Sequence, residues 1–244
     1  MPQRFLLFLL SLILFASCSR GKAVVTGSST QAVVIDERYA PGDSTMLDFI
    51  KPFTTDMEQQ MGEVIGYCPE YMSKDLPESS LTNWASDIMM RAGEEYLGIP
   101  MDIAVMNIGG LRCDIPQGDV TVGTIFRLMP FDNTLVIVKL KGDKVLELCE
   151  QIAAQGGQGI AGLTMKIKDN KALDIKIKGE PVDTAKTYLV STSDFLAEGN
   201  DYLFALADGE VDNSSWPLRD IMLGIVQKDT IMQAQLDGRI QIID

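Results

Sequence analysis

Histidine is missing from all 244 residues. That absence excludes imidazole general bases, the Ser/His/Asp triad and the commonest ligand of zinc and iron in one step. Cysteine is scarce. Beyond Cys18 there are only Cys68, Cys113 and Cys149. An odd number at wide spacings gives neither a disulfide framework nor a zinc motif, and is read as burial of small apolar side chains. Long hydrophobic runs are lacking too: Phe5 to Phe15 is broken at Ser11 and is too short to span a bilayer. Positive charge is in short supply, with 21 Lys and Arg against 34 Asp and Glu and a net charge of −13. Such a surface repels phosphate backbones, which argues against a nucleic-acid partner and leaves any phosphate-bearing ligand to a few local cations. The acids form no metal pattern. Asp36, Glu37 and Asp43 are scattered, and no calcium-loop spacing occurs.

What is present begins with Arg4, the short apolar run, then the small residues Ala16 and Ser17 before Cys18. A charged start, an apolar core and a small-residue exit mark a secretory signal. Leu14 to Cys18 resembles a bacterial lipobox, in which the cysteine becomes the acylated first residue of the mature chain; a plain signal peptide with an incidental Cys18 is the alternative. The expected organisation is a lipoprotein signal peptide at 1–17, a polar flexible tether at 18–31, and one domain at 32–244. Loss of the signal removes a single charged residue, Arg4, and makes the chain more acidic by one. The expected location is the bacterial cell envelope, lipid-anchored through Cys18, facing the periplasm and in the keeping of the outer membrane.

Periodicity predicts the elements. Ala32 to Ile35 reads as a short strand. Met46, Phe49, Ile50, Phe53, Met57 and Met61 recur at three- and four-residue steps, predicting a helix that Pro52 kinks or starts late. A second helix carries Leu81, Trp84, Ile88, Met89, Ala92 and Leu97 on one face, between a serine cap at Ser79 or Ser80 and a stop at Gly98. Strands are expected at Asp102 to Met106 and Thr134 to Leu140, and a helix at Asp143 to Ala154. Alternation of Leu163, Met165 and Ile167, then of Leu173, Ile175 and Ile177, predicts a hairpin turning at Asp169 to Lys171. A strand at Thr187 to Ser191, a loop through Tyr202, a helix at Leu218 to Gln227 and a strand at Arg239 to Ile243 complete the chain. Helices and strands mix without a regular βαβ cadence, so the fold class is α+β, a domain of about 200 residues with one substantial core.

Three segments carry candidate chemistry. Asn107, Gly109 and Gly110 follow a buried strand, where paired glycines permit unusual backbone and close ligand approach, and Arg112 adds a planar cationic fork. An ordinary tight turn with Arg112 paired to a surface acid would look the same. Pro130 stiffens the approach to Phe131, a possible stacking platform, with Asn133 able to donate to and accept from a base edge; a core phenylalanine beside a turn asparagine is the alternative. The segment Asp194 to Tyr202 sets Phe195 and Asp201 in a polar, glycine-containing loop. Two aromatic platforms with Asn, Asp and Arg suit a purine nucleoside.

In this order the segments resemble the C-terminal domain of the 5'-nucleotidase and UDP-sugar hydrolase family. The resemblance runs from a helix ending at Gly62 to Tyr67, through Glu78 to Asp87, to Asn-x-Gly-Gly-x-Arg at 107–112. It continues with Gly118 to Thr121, Pro130 to Asn133, the Ala161-Gly162 pair and the loop from Phe195 to Asp201. The chain departs from the family where Asp75-Leu76-Pro77 replaces an arginine-bearing stretch and where Thr82 and Asn200 replace glycines. The resemblance implies a four-layer α/β/β/α sandwich with a nucleoside clamped between Phe131 and Phe195. It implies polar contacts from Arg112, Asn133 and Asp201, and a backbone wall at Gly162.

In that family hydrolysis belongs to a metallophosphoesterase domain holding two metals, a chemistry for which these residues offer no histidine. No catalytic or metal residue and no cofactor is therefore expected in the chain. The leading expectation is the nucleoside- or nucleotide-recognition subunit of a split 5'-nucleotidase, with divalent metals confined to a separately encoded metallophosphoesterase. A stand-alone nucleotide-binding lipoprotein and a degenerate interaction module are the alternatives. Membrane fractionation checks the anchor: wild type sediments with membranes and a Cys18→Ser variant does not, and equal solubility of the two removes it.

Overall fold

The computed structural model describes residues 27–32 and 44–243. Cys18, the signal, most of the tether and positions 33–35 of the first expected strand lie outside the described residues; Ala32 is in no strand. The chain forms two units, Met1–Ile50 and Lys51–Asp244. Helix α1 spans Ser44–Met61 with Pro52 inside it and has no buried residue. No helix among the described residues is long and apolar enough to cross a membrane.

The second unit is built on a five-stranded sheet. Its strands are β2 (Ile103–Met106), β4 (Thr134–Lys141), β5 (Gly159–Ala161), β9 (Thr187–Ser193) and β10 (Glu210–Pro217), in the order β10-β4-β9-β2-β5. The β-branched residues that predict β2 and β4 are buried on both faces. Ile103, Val105, Val136 and Val138 enter one core, while Ala104, Met106 and Leu135 enter another. The first core is shared with helix α4 (Gly142–Ala154) and a second sheet. That sheet comprises β6 (Leu163–Lys168), β7 (Lys171–Ile177), β8 (Glu180–Pro181) and β11 (Ile240–Ile242), in the order β11-β6-β7-β8. The other core holds helices α2 (Ser80–Leu97), α3 (Val122–Leu128) and α6 (Leu218–Asp229), with the antiparallel pair β1 (Val64–Cys68) and β3 (Gly118–Thr121). Helices, sheet and second sheet closed by α4 make the expected α/β/β/α sandwich.

Local chemistry explains the element ends. Ser79 caps α2 through the Thr82 N–H, and the Thr82 hydroxyl answers the Ser79 N–H at 3.0 Å, so Thr82 completes a capping box. Gly98 stops α2 at φ +69. Buried hydroxyls on β9 are paired: Ser191 donates to the Met89 carbonyl at 2.6 Å and Thr192 to that of Val105 at 2.9 Å.

The structure corrects several expectations. The stretch 64–68 is strand β1, not a helix end, and helix α1 stops at Met61. In the hairpin Ala172 and Ile177 face the core while Leu173 is 43% exposed, because the β6–β7 register shifts between Thr164 and Lys166 and Asp174 adopts φ +51. The loop expected through Tyr202 contains helix α5 (Asp194–Ala197), and a 3-10 turn follows it at Phe204–Asp208. Cys68 and Cys149 are buried and Cys113 is half-buried, all three as free thiols. Burial pushes the Cys149 thiol up to about 12.

One cation staples the C-terminus to the frame. Arg239, nearly buried, donates to Asp87 at 2.8 Å, to Asp237 at 2.7 Å and to the Ile160 carbonyl at 2.7 Å. Burial opposes its charge, but the two carboxylates outweigh that and raise its pKa above the ordinary arginine value. Hydrogen bonds to charged groups are worth about 1.5–3 kcal/mol. An Arg239→Met variant should therefore melt several degrees lower in a thermal scan; an unchanged melting point would place the C-terminal anchor elsewhere.

Candidate functional site

Strand direction gathers the site. β9 runs parallel to β2 and antiparallel to β4, so the ends of β2 and β9 lie beside the start of β4. Leu135 of β4 sits opposite Ser193, the last residue of β9. The segments leaving β2, entering β4 and leaving β9 therefore emerge at one end of the sheet. Connections there are surface loops on a rigid frame, the usual setting of binding groups.

Between these segments lies a cavity of about 280 Å³, near the lower end for small-molecule sites. Asn107, Gly109, Gly110, Arg112, Phe131, Asn133, Phe195 and Asp201 all line it. Phe131 and Phe195 are 41% and 42% exposed, too open to be core residues. Gly162 is elsewhere. Ala161 pairs with Ala104 while Gly159 pairs with Met106, so Gly162 continues β5 away from the cavity end of β2. Its φ of +71 and its close approach to the Asp102 carbonyl make it a turn glycine.

Side-chain and backbone bonds tie the three segments together. The Asn107 Nδ2 donates to Asp201 at 2.8 Å, and the Arg112 N–H donates to the Leu128 carbonyl at 2.9 Å. Arg112 lies exposed, its guanidinium carbon 5.7 Å from the Phe131 ring centre and its Nη1 donating to the Gly109 carbonyl at 3.1 Å. Asp201 and Tyr202 both adopt left-handed backbone, at φ +56 and +60, a conformation costly for such residues that aims the Asp201 carboxylate at Asn107.

A supporting layer was not visible in the sequence. Buried Gln158 accepts the Ile108 N–H at 2.7 Å and holds the 3-10 turn Ile108–Gly110. Lys74 donates to the Leu111 carbonyl at 2.8 Å. Arg219 stacks 4.5 Å from Phe126 and donates to Asp132 at 2.8 Å and to the Phe131 carbonyl at 3.4 Å, bracing the Phe131 loop from behind. Asn200 donates to the Phe195 carbonyl at 2.9 Å. Asp194 accepts from Asn133, Thr134 and the Phe195 N–H. Burial opposes ionisation of Asp194, but those donors prevail and hold its carboxyl below the ordinary range. Their stabilising contribution is complete above the ordinary carboxylate pKa and is lost as pH falls through the depressed one. Among the described residues no group of three His, Cys, Asp or Glu could hold a metal ion.

The family described as "5'-nucleotidase, C-terminal domain" matches residues 60–208, well over half of the chain. This chain belongs to that family. Protein UshA of Escherichia coli (strain K12) is 37% identical over 105 residues, covering 41% of this chain and 19% of that protein. Protein UshA of Yersinia enterocolitica is 31% identical over 187 residues, covering 74% of this chain and 34% of that protein. The 5'-nucleotidase of Vibrio cholerae is 28% identical over 187 residues, covering 74% and 33%. The chain thus spans about a third or less of these relatives. Among solved structures, the 5'-nucleotidase precursor from Thermus thermophilus superposes with a TM-score of 0.72 at 25% identity, covering 84% of this chain and 44% of that one.

Within the family's Asn-x-Gly-Gly-x-Arg segment the two glycines differ. Neither has left-handed backbone, so neither is required by φ; lack of space explains Gly110, and nothing in the structure explains Gly109. A Cβ on Gly110 would stand 2.8 Å from Asn107 Oδ1 and 2.9 Å from Met106 Cε; one on Gly109 would meet nothing closer than 3.5 Å. Thermal melts should show Gly110→Ala destabilised by about 1–3 kcal/mol, the range for overpacking. Gly109→Ala should stay within about 0.5 kcal/mol of wild type. Equal losses would refute the steric distinction.

Proposed function

We propose that the cavity binds a nucleoside or nucleotide with its base between Phe131 and Phe195, and that the chain is the recognition subunit of a split 5'-nucleotidase. The observation that carries this reading is the pair of half-exposed phenylalanines, from loops 64 residues apart, on one cavity with Arg112, Asn133 and Asp201. Aromatic faces take a planar base, the Asp201 carboxylate is suited to sugar hydroxyls, and the Arg112 fork to hydroxyls or phosphate. Membership of the family and the 5'-nucleotidases among its relatives support the ligand class.

Hydrolysis in this reading belongs to a separately encoded metallophosphoesterase carrying the divalent metals. A chain of 244 residues without histidine supplies none of the imidazole ligands such a centre uses. The contribution of this chain is positioning, which lowers a barrier by holding the reacting group in place. Attachment through Cys18 at the periplasmic face of the envelope completes the proposal, resting on the lipobox-like Leu14 to Cys18.

Calorimetric titration with nucleosides and nucleotides, alongside thermal melts and phosphate-release assays, tests the reading. Stacking on one ring contributes about 1–3 kcal/mol per base. Phe131→Ala and Phe195→Ala should each weaken binding about tenfold or more with little change in melting point, and the isolated chain should release no phosphate from nucleotides. Unchanged affinity in both variants returns the phenylalanines to a structural role. Metal-dependent hydrolysis that copurifies with the chain would overturn the split.

A further inference from the structure

The two aromatic loops meet at one carboxylate. Asp194 Oδ1 accepts from Asn133 Nδ2 at 2.8 Å and from the Phe195 N–H at 2.7 Å, while Oδ2 accepts from the Thr134 hydroxyl at 3.0 Å. Asn133 and Phe195 line the cavity; Asp194 does not. Asp194 thus stands behind the wall and holds one lining residue from each loop.

Its effect on Asn133 is directional. An amide side chain has two ends of nearly equal size and opposite hydrogen-bonding sense, and its neighbours decide which end faces which way. An ionised carboxylate has only acceptors to offer, so it draws the amide nitrogen and repels the amide oxygen. With Nδ2 held by Asp194, Oδ1 takes the other side. No donor reaches Asn133 Oδ1 among the described residues, although the Asn133 backbone carbonyl is taken by the Leu218 N–H at 2.9 Å. Nor is Oδ1 a buried atom without a partner, a condition found among the described residues only at Arg219 Nε. Asn133 is half-buried on the cavity wall, so its free acceptor is open to whatever the cavity holds.

We infer that Asp194 is a positioning residue that fixes the Asn133 amide with its oxygen toward the ligand, and that the cavity therefore selects bases bearing an exocyclic amino group over analogues lacking that donor. This rests on the nucleobase reading given above. The hydrogen bonds that favour ionised Asp194 make the orientation permanent at neutral pH. A site organised to pair a polar substituent rejects the analogue without it, because the group that the ligand covers then loses its partner.

Adenosine and purine riboside differ only in the 6-amino group and are the probes. Wild-type protein, Asp194→Ala, Asn133→Ala, the double variant and Asp194→Asn are titrated calorimetrically with both. Wild type should bind adenosine at least about tenfold tighter than purine riboside. The ratio should fall toward one in Asp194→Ala and in Asn133→Ala, with no further loss in the double variant, since both act through one amide. Asp194→Asn, whose amide oxygen accepts the same two N–H groups, should keep most of the wild-type ratio. A ratio taken between two ligands on one preparation is insensitive to partial unfolding, and if Asp194→Ala does not fold, Asn133→Ala and Asp194→Asn decide. Binding with no wild-type preference, or a preference that survives Asp194→Ala or Asn133→Ala, overturns this inference and leaves the nucleobase reading standing. Absence of any binding of adenosine, inosine, cytidine and uridine to wild type overturns both.

Discussion

Strand β9 has neighbours of opposite sense, parallel β2 on one side and antiparallel β4 on the other, and the three loops that line the cavity trace to that arrangement. Two strands end and one begins at the same edge of the sheet, so loops distant in sequence face one another without any long connection. The pairing tolerates no slip. Successive residues of β2 and β4 belong to different cores, and a shift of one residue would exchange them, putting Ala104 and Met106 where Ile103 and Val105 now pack. The same slip would draw Asn133 away from Asp194. Register in the core and geometry in the cavity are one constraint.

The electrostatics of the site are local. Across an acidic chain the long-range field discourages anions, and screening at physiological salt confines surface charges to about 8 Å. Arg112 beside Phe131 therefore acts at contact distance rather than by steering. Lys74 and Arg219 hold the loops by donating to backbone carbonyls, and Gln158 and Asp194 by accepting from a backbone N–H and a side-chain amide, so the polar wall is set before a ligand arrives. Preorganisation of this kind reduces the ordering that binding would otherwise demand.

Much of the frame was legible because its signals are local. The capped amphipathic stripe of α2, the β-branched run of β4, the apolar face of α4 and the turn at Asp169 to Lys171 each declare themselves within a dozen residues. Strands β1, β3 and β10 do not. They are short or largely exposed, and their existence depends on partners far along the chain, Val64 on Thr121 and Val211 on Val138. Eight of the nine expected lining residues meet at the cavity because motif order marks the loops. Gly162 falls outside because a small-residue pair in sequence says nothing about which end of a strand it occupies. The bracing residues were hidden for a similar reason: Gln158, Asp194 and Arg219 act on backbone groups of other segments, and no spacing rule encodes that.

The three lining loops draw on separate stretches of chain and share only side-chain and backbone ties across the cavity. Residues in either core do not depend on the identity of Phe131, Arg112 or Phe195, which stand exposed at the rim. Change at one loop therefore alters what the cavity prefers while leaving the folding frame intact. Such a domain separates the inheritance of shape from the inheritance of taste: across its lineage the scaffold is free to persist while its choice of partner molecule drifts, one loop at a time.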